Sequence, residues 1–349
     1  MGEKDAPLFP KGNSGERRPS IQIMPELPYN KVFLSLLVIV GWALTGMILR
    51  KFALLKPKWD IMLLRTVIWF FYPCLIIKNV VGNKALADDP SLLLTILSIG
   101  FLALAFGQIV SSLAARLITF ENPRQRNTFI FTTGIFNYGY FAFPVADALF
   151  GKETFGILLV FVVGVEVAIW SIGILYLTSG EEKLDWKKLV NPPIIAVTIA
   201  LVLNWSGGAN RINPESIKML DVMGQFAIPL GLILIGATLF DNLKNLNIRK
   251  YMHQITVACC VRQLFLPSTF IIMAVLLPVL PELKAVLIIE AAMPCGIFPI
   301  VIAKHYGGSP NTALQIIMGT TFFSVLTIPL WIMLGIYFTG LQELLTSAS

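Results

Sequence analysis

Apolar runs long enough to cross a lipid bilayer recur along this chain, and they constrain its fold more than any other feature. They begin at Val32 and end at Phe338, and short loops that hold most of the Lys and Arg residues separate them. A spanning helix needs about 20 apolar residues to cross roughly 30 Å of hydrocarbon. Only 13% of the residues are charged, whereas soluble domains have about a quarter. The pattern predicts an all-α integral membrane protein and excludes a large soluble domain.

The runs divide into ten predicted spans, five on each side of a polar segment. The first five are residues 32–49, 61–80, 92–117, 128–150 and 154–178, and the second five are residues 192–205, 217–240, 253–278, 285–304 and 313–338. Residues 1–30 are polar and have no apolar h-region, so they predict a disordered N-terminal tail rather than a signal peptide. After this tail we expect a first five-helix repeat at 31–178, a cytoplasmic linker at 179–191, a second repeat at 192–338 and a short C-terminal tail at 339–349.

Prolines recur at nearly the same offset in the two halves. Pro73 and Pro229 are 156 residues apart (229 − 73), and Pro144 and Pro299, each preceded by Phe, are 155 apart (299 − 144). Because each half has an odd number of spans, the second half enters the membrane from the opposite side. This pattern predicts an inverted-topology repeat, which is characteristic of transporters.

The distribution of basic residues predicts the orientation. If the N-terminus lies outside, fourteen Lys and Arg residues fall on the cytoplasmic side and seven fall in the opposite loops, apart from four in the tail. The positive-inside rule then places both termini outside the cell and the central linker inside. We expect a multi-pass protein of the plasma (cell inner) membrane.

The fourth and ninth spans each contain a Gly/Pro cluster near their middle. Proline removes a backbone donor and clashes with the preceding turn, so both helices should break there. The freed backbone groups cannot face lipid, and a half-helix that starts at a break presents the positive end of its dipole to an anion. We therefore predict a substrate-binding site at these residues: Asn137, Gly139, Pro144, Pro294, Gly296 and Pro299. The alternatives are simple proline kinks and, for Asn137, a hydrogen bond between helices.

Three carboxyl groups inside or near spans are candidates to bind a coupling ion or a proton. Glu166 lies near the middle of the fifth span, Asp147 follows Pro144, and Glu290 precedes Pro294. Ionisable residues in the membrane are costly and therefore mark functional sites. For Glu166, a buried protonated carboxyl tied to a neighbouring helix is an equally good interpretation. Two basic residues in spans, Arg65 and Arg262, could pair with these carboxyl groups or snorkel to the headgroups, and snorkelling is the simpler interpretation.

The sequence gives little support for catalysis, a cofactor or a metal. We find no HExxH, GxSxG or GxxxxGK[ST] motif, and the four cysteines lie in apolar segments without CxxC spacing. The net charge of +7 comes from basic residues spread over loops rather than from one basic face, so nucleic acid is not an expected partner.

In this order along the chain, several short motifs resemble the auxin efflux carrier family of membrane transporters, which includes plant auxin exporters and compact bacterial permeases. They are Asn137-Tyr138-Gly139, Phe143-Pro144-Val145, Leu149-Phe150-Gly151, Asn191-Pro192-Pro193, Ala227-Ile228-Pro229-Leu230-Gly231 and Met293-Pro294-Cys295-Gly296. The resemblance covers nearly the whole membrane portion. The family's crossover asparagine would fall on Asn137.

The resemblance implies ten helices in two inverted five-helix repeats, with broken helices four and nine that cross at Pro144 and Pro299, or at Pro294 as the alternative. It also implies an elevator-type secondary transporter for a small organic anion such as a carboxylate. Two residues depart from the family pattern. Ala142 stands where glycine is frequent, and Glu166 stands where many members have a neutral amide. The acidic side chain of Glu166 argues against an auxin-like substrate. It argues for coupling to a proton or a cation.

Two alternatives stay open. One is a sodium-coupled symporter of the bile-acid-carrier type, for which the nearby hydroxyl ligands are Thr320, Thr321 and Ser324. The other is a membrane receptor that binds a ligand without moving it. The expected partners are a small organic anion, lipid, a proton or sodium ion, and a second copy of the chain in a homodimer.

Overall fold

A computed structural model describes residues 29–88, 90–180, 192–243 and 247–346. Within these ranges the regular structure is helical, and the only β pairing is one isolated bridge. Residues 1–28 of the predicted tail at 1–30, most of the predicted linker and residues 347–349 lie outside the described residues. The first helix begins at Tyr29, two residues before the predicted boundary, and a short helix, Gln342–Thr346, lies in the predicted C-terminal tail.

The helices are numbered in chain order. They are α1 Tyr29–Lys51, α2 Asp60–Thr66, α3 Tyr72–Val80, α4 Lys84–Asp88, α5 Pro90–Ala114, α6 Pro123–Gly134, α7 Ala142–Ala168, α8 Ile174–Thr178, α9 Pro192–Trp205, α10 Pro214–Gly224, α11 Ala227–Asn242, α12 Ile248–Cys260, α13 Leu266–Leu276, α14 Pro281–Ala292, α15 Phe298–His305, α16 Pro310–Thr339 and α17 Gln342–Thr346. Short π-helical turns at Val67–Phe71, Ile169–Gly173 and Val261–Phe265 join α2 to α3, α7 to α8 and α12 to α13.

Six continuous helical stretches among the described residues are long and apolar enough to cross a membrane. They are Pro57–Val80, Ser91–Leu117, Ala142–Thr178, Pro214–Asn242, Ile248–Leu276 and Pro310–Thr339. A shorter apolar helix covers Pro192–Trp205. Large hydrophobic side chains such as Trp69, Phe322 and Leu326 are exposed on the outer faces, as expected where lipid is the solvent. The chain is a multi-pass membrane protein.

Predicted spans four and five meet inside one long helical stretch. The helix that enters at Pro123 ends at Gly134, and the next begins at Ala142. Within α7, Gly151 has φ 72° and ψ −171°, so the chain turns there. A side chain is strained at this left-handed φ, which favours glycine. Residues 142–150 and 152–178 are therefore separate helical arms.

The helices pack in two groups. In one group α1 packs along α11, and α3 packs against α9 and α10; in the other, α5 packs on α6 and α7, while α16 packs on α12 and α14. At the α1–α11 contact a Cβ on Gly46 would overlap the backbone of Ile233, and a Cβ on Gly236 would overlap the backbone of Ala43. Small residues of this kind let membrane helices approach closely.

Ion pairs join helix ends on the side of the bundle where α1 ends and α6 begins. The buried Arg50 side chain contacts Asp60 at 2.5 Å and Asp241 at 3.2 Å, so it links α1 to α2 and α11. Lys250 Nζ lies 2.9 Å from Glu121 Oε1. The hydrogen bonds from Lys250 and then from Gln125 hold the pKa of Glu121 below its ordinary value. All three ion pairs lie at this end of the bundle.

Candidate functional site

The first helix break covers residues 135–141, between α6 and α7. It begins after Gly134 and ends where Phe143 N–H donates to Gly139 O at 2.9 Å to start α7. Pro144 is the third residue of α7, a position where the missing N–H breaks no intrahelical bond. The predicted break before Pro144 is present.

The second break covers residues 293–297, between α14 and α15. The helix ends at Ala292, and α15 begins at Phe298 with Pro299 as its second residue. The helices that follow the two breaks start at Ala142 and Phe298, which are 156 residues apart (298 − 142). This spacing matches the offset between the prolines of the two halves. Pro294 and Gly296 lie inside the break, and both are buried.

The two breaks cross and pair with each other. Asn137 N–H donates to Pro294 O at 2.8 Å, and Gly296 N–H donates to Ile135 O at 2.8 Å, around an antiparallel bridge between Phe136 and Cys295. Buried backbone groups must be paired in a membrane interior. Part of the backbone that the sequence analysis assigned to a ligand is therefore satisfied by the partner break.

The Asn137 side chain is 3% exposed, and its Nδ2 has no hydrogen-bond partner among the described residues. An unpaired buried amide donor costs about 1–3 kcal/mol. This donor lies at the crossing itself, next to a backbone N–H that is already used. Among the predicted binding residues, Asn137 has a side-chain N–H donor at the crossing that no described residue uses.

Glu166 is bound to the first break. Tyr138 Oη donates to Glu166 Oε1 at 2.6 Å, and Trp170 Nε1 donates to Oε2 at 2.9 Å. Tyr138 is buried and follows Asn137 directly. The carboxyl group is thus attached to the crossing by one side chain and to its own helix by another. Glu166 is half-buried, and its partner Tyr138 is a residue of the break rather than of a neighbouring helix; the protonated state in the alternative interpretation stays a prediction.

Glu290 and Arg262 lie behind the second break, and both are 0% exposed. Arg262 donates to the carbonyl oxygens of Met293 and Glu290 at 3.0 Å, and to that of Ala291 at 3.5 Å. Its guanidinium carbon lies 5.3 Å from the centroid of the Phe136 ring. Neither carboxylate oxygen of Glu290 has a hydrogen-bond partner among the described residues.

The expectation that Arg262 snorkels is wrong, because the guanidinium caps the last carbonyl groups of α14 at the point where the helix stops. Glu290 O also accepts from Met293 N–H at 3.3 Å, so Arg262 adds a second donor to this carbonyl. A cation at a helix C-terminus is favourable. The only signal in the sequence was a basic residue within an apolar span. Arg65, by contrast, is exposed.

A cavity of about 620 Å³ opens at the end of the bundle where α1 begins and α3 ends. Pro144 and Asp147 line it, whereas Asn137, Gly139, Pro294, Gly296 and Pro299 do not. Its other lining residues come from α1, α3, α7, α10 and α11, and they include Trp42, Leu75, Lys78, Asn79, Phe155, Asp221, Gln225, Pro229 and Leu232. The volume is within the range of small-molecule sites, about 300–1,000 Å³.

A charged pair in this cavity was not predicted from the sequence. Lys78 Nζ lies 2.8 Å from Asp221 Oδ1, and both side chains are partly exposed. Lys78 is one of the seven basic residues that were assigned to the loops opposite the cytoplasm. Pro229, which the repeat offset pairs with Pro73, lines the same cavity as this pair. A charge near the end of an apolar run was the available signal.

Comparison with known proteins adds three findings. A family model described as "Membrane transport protein" matches residues 31–187 and 179–332. The uncharacterized transporter MJ1031 of Methanocaldococcus jannaschii is 24% identical over 300 residues, which is 84% of this chain and 96% of that protein. Auxin efflux carrier components 3 and 7 of Arabidopsis thaliana are 30% and 29% identical over 158 residues, which is 43% of this chain but only 24% and 25% of those proteins.

Proposed function

The chain belongs to the membrane transport protein family that includes the auxin efflux carriers, and from this premise we propose that it is a secondary transporter for a small organic anion, in particular a carboxylate. The membrane transport role itself follows from the family and from the six membrane-length helices. The substrate class, the mechanism and the site are the proposal.

The crossing of the two breaks is the observation that carries this proposal. Broken helices near the middle of the membrane are the usual place of substrate sites in transporters with inverted repeats. Here α7 and α15 begin beside the crossing, so the positive ends of two helix dipoles converge on it. Asn137 adds a free amide donor. Dipole ends and a donor suit a carboxylate.

The cavity supports a path to the crossing from one side. It reaches Pro144 in the first turn of α7 and opens where α1 begins. With both termini outside, this is the external side of the plasma membrane. In this proposal the described conformation is open outward.

We count ten spans by treating each broken helix as one span and Gly151 as the turn between spans four and five. The conserved offset of the helix starts supports two inverted repeats, and the two packing groups support an elevator. The group of α1, α3, α9, α10 and α11 would be the scaffold, and the group that holds both breaks would move against it. The cavity lies between α3 and α10 on one side and α7 on the other.

Glu166 is the best of the three coupling candidates, because Tyr138 attaches it to the crossing. Proton binding there would change the hydrogen bond to the break. Asp147 lies in the cavity and Glu290 lies behind the crossing. We propose proton coupling through Glu166 or uniport.

Sodium coupling is less well supported. Arg262 already donates to two carbonyl oxygens beside the second break, those of Met293 and Glu290. The Thr320 hydroxyl donates within α16 and accepts from Cys295 N–H, and the Ser324 hydroxyl donates to Thr321 O. The Arg262 guanidinium therefore supplies a positive charge beside the crossing without a bound sodium ion.

Uptake of a panel of labelled organic acids into proteoliposomes tests the function. We expect Asn137→Ala and Pro144→Ala to reduce uptake of the transported acid at least tenfold. Asn242→Ala and Pro267→Ala change the same residue types outside the breaks and should leave uptake near that of the parent protein. Ligand binding without flux under any gradient would favour the receptor alternative, and unaltered uptake in both site variants would refute the placement of the site.

A further inference from the structure

Lys78 is not a free receptor for a carboxylate. Its ammonium group is 2.8 Å from Asp221 Oδ1 on α10. Lys152 adds a second, more distant electrostatic contact to Asp221. A carboxylate that entered the cavity would have to share Lys78 with this acid or displace it.

Asp147 gives the same cavity an uncompensated acid. It lines the cavity from α7 and forms no ion pair or hydrogen bond with any described residue, although Lys78 attracts it at longer range. Among the lining residues two carboxyl groups face one ammonium group, and Lys152 lies further from Asp221. A ligand with an ammonium group would give Asp147 the direct partner that it lacks, whereas a simple organic anion would not.

Asn79 has a side-chain oxygen in this cavity that lacks a hydrogen-bond donor. Its side chain is buried and lines the cavity, and its Nδ2 donates to Leu75 O at 2.8 Å. Its Oδ1 has no partner among the described residues. A carboxylate ligand has no donor to offer this oxygen, while an ammonium group has three.

The remaining wall of the cavity is apolar and partly aromatic. Trp42, Leu75, Phe155 and Leu232 face the same space as the charged groups. A ligand that fills this space needs an apolar body in addition to its polar end. Apolar walls with a few placed polar groups are the usual composition of a small-molecule site.

We infer that the cavity takes an amino-bearing carboxylate with an apolar side chain, whose ammonium group contacts Asp147 and Asn79. This inference rests on the proposed transport function and narrows its substrate class. The carboxylate end is directed toward the start of α7, where the helix dipole favours an anion, and it shares Lys78 with Asp221. The amino group is the feature that separates this substrate from a simple organic acid.

Matched pairs of labelled compounds test the inference, since each pair shares one apolar body and differs in the amino group. The pairs are 4-methylpentanoate with leucine, 3-phenylpropanoate with phenylalanine, and indole-3-propanoate with tryptophan. Uptake of each compound into proteoliposomes is measured for the parent protein, for Asp147→Asn and for Glu215→Gln, which neutralises an exposed acid on α10 outside the cavity.

For the parent protein we expect the amino-bearing member of at least one pair to be taken up about tenfold faster than its partner. Asp147→Asn should lower that ratio at least tenfold, and Glu215→Gln should leave it unchanged. Faster uptake of the simple acids by the parent, or an unchanged ratio in Asp147→Asn, would overturn the inference and leave the proposed transport of carboxylates standing. No uptake of any of the six compounds would also overturn the inference, and the panel of organic acids described above then decides the proposed function separately.

Discussion

Tyr138, in the break between α6 and α7, donates a 2.6 Å hydrogen bond to Glu166, which lies 28 residues further along the chain. The bond joins the crossing to the second arm of α7. Any change in the protonation or identity of Glu166 therefore acts on the geometry of the break. Through this hydrogen bond Glu166, an acidic residue of a membrane helix, belongs to the candidate site.

Tyr138→Phe should destabilise the protein more than Glu166→Gln. The first substitution leaves Glu166 Oε1 without its donor. An unpaired buried acceptor costs about 1–3 kcal/mol, and since Glu166 is half-buried we expect a loss at the lower end of this range. Glu166→Gln keeps one side-chain oxygen, which can still accept from Tyr138 or Trp170, and it removes the negative charge. Thermal unfolding in detergent measures both, with Tyr337→Phe, an exposed tyrosine on α16, as the matched control. A larger loss of melting temperature in Glu166→Gln would contradict the assigned bond.

Arg262→Met should cost about 3–5 kcal/mol of stability, because it removes a buried charge from its partners. The carbonyls of Glu290, Ala291 and Met293 lose the guanidinium, although Glu290 O keeps its bond from Met293 N–H. The Glu290 side chain loses the nearby positive charge. Arg65→Met, on an exposed arginine, should change the stability by less than about 1 kcal/mol.

A double-mutant cycle with Glu290→Gln tests whether the two buried charges interact. We expect the double variant to be more stable than the sum of the single effects by about 1 kcal/mol or more, since neither charge is then left alone. Additive effects within about 0.3 kcal/mol would show that Arg262 acts only as a helix cap.

Uptake of the transported acid should not depend on sodium. Arg262 supplies the positive charge at the end of α14, and the hydroxyls of Thr320 and Ser324 are engaged with backbone groups. Replacing external sodium by choline at fixed pH should leave the initial rate unchanged within error. A tenfold fall would instead support the sodium symporter.

Gly46→Val should separate α1 from α11, whereas Gly41→Val on the same helix should not. A Cβ on Gly46 would overlap the Ile233 backbone, while a Cβ on Gly41 has no neighbour within 4 Å. Overpacking of this kind costs about 1–3 kcal/mol. Thermal unfolding of the two variants measures the difference, and equal melting temperatures would contradict the close contact of the two helices.

The breaks were predictable because their cause is local. Pro144 and Pro299 remove donors in any fold, and the matching offset marks them as a pair. The pairing of Asn137 with Pro294 was not predictable from residue chemistry, since it depends on two segments that meet only in the folded bundle. The family resemblance implied a crossing but gave none of its hydrogen bonds.

Charged residues were harder to place than prolines. Arg262 and Lys78 look alike in the sequence, as single cations in or beside apolar runs, yet one caps a buried helix end and the other pairs with an acid in a cavity. The difference depends on which helix faces them. Asp147 was identified for its distance from Pro144, and its position in the cavity depends on the turn at Gly151 and on the packing of α10.

The bridge between Phe136 and Cys295 has a consequence for biogenesis. Ile135 and Asn137 obtain their backbone partners from residues that the ribosome adds about 160 positions later (295 − 136 = 159). Until those later residues are inserted, the backbone groups of Ile135 and Asn137 lack these partners, and unpaired polar groups are costly in hydrocarbon. Each half completes the other, so assembly of the two halves is a single late event rather than two independent ones.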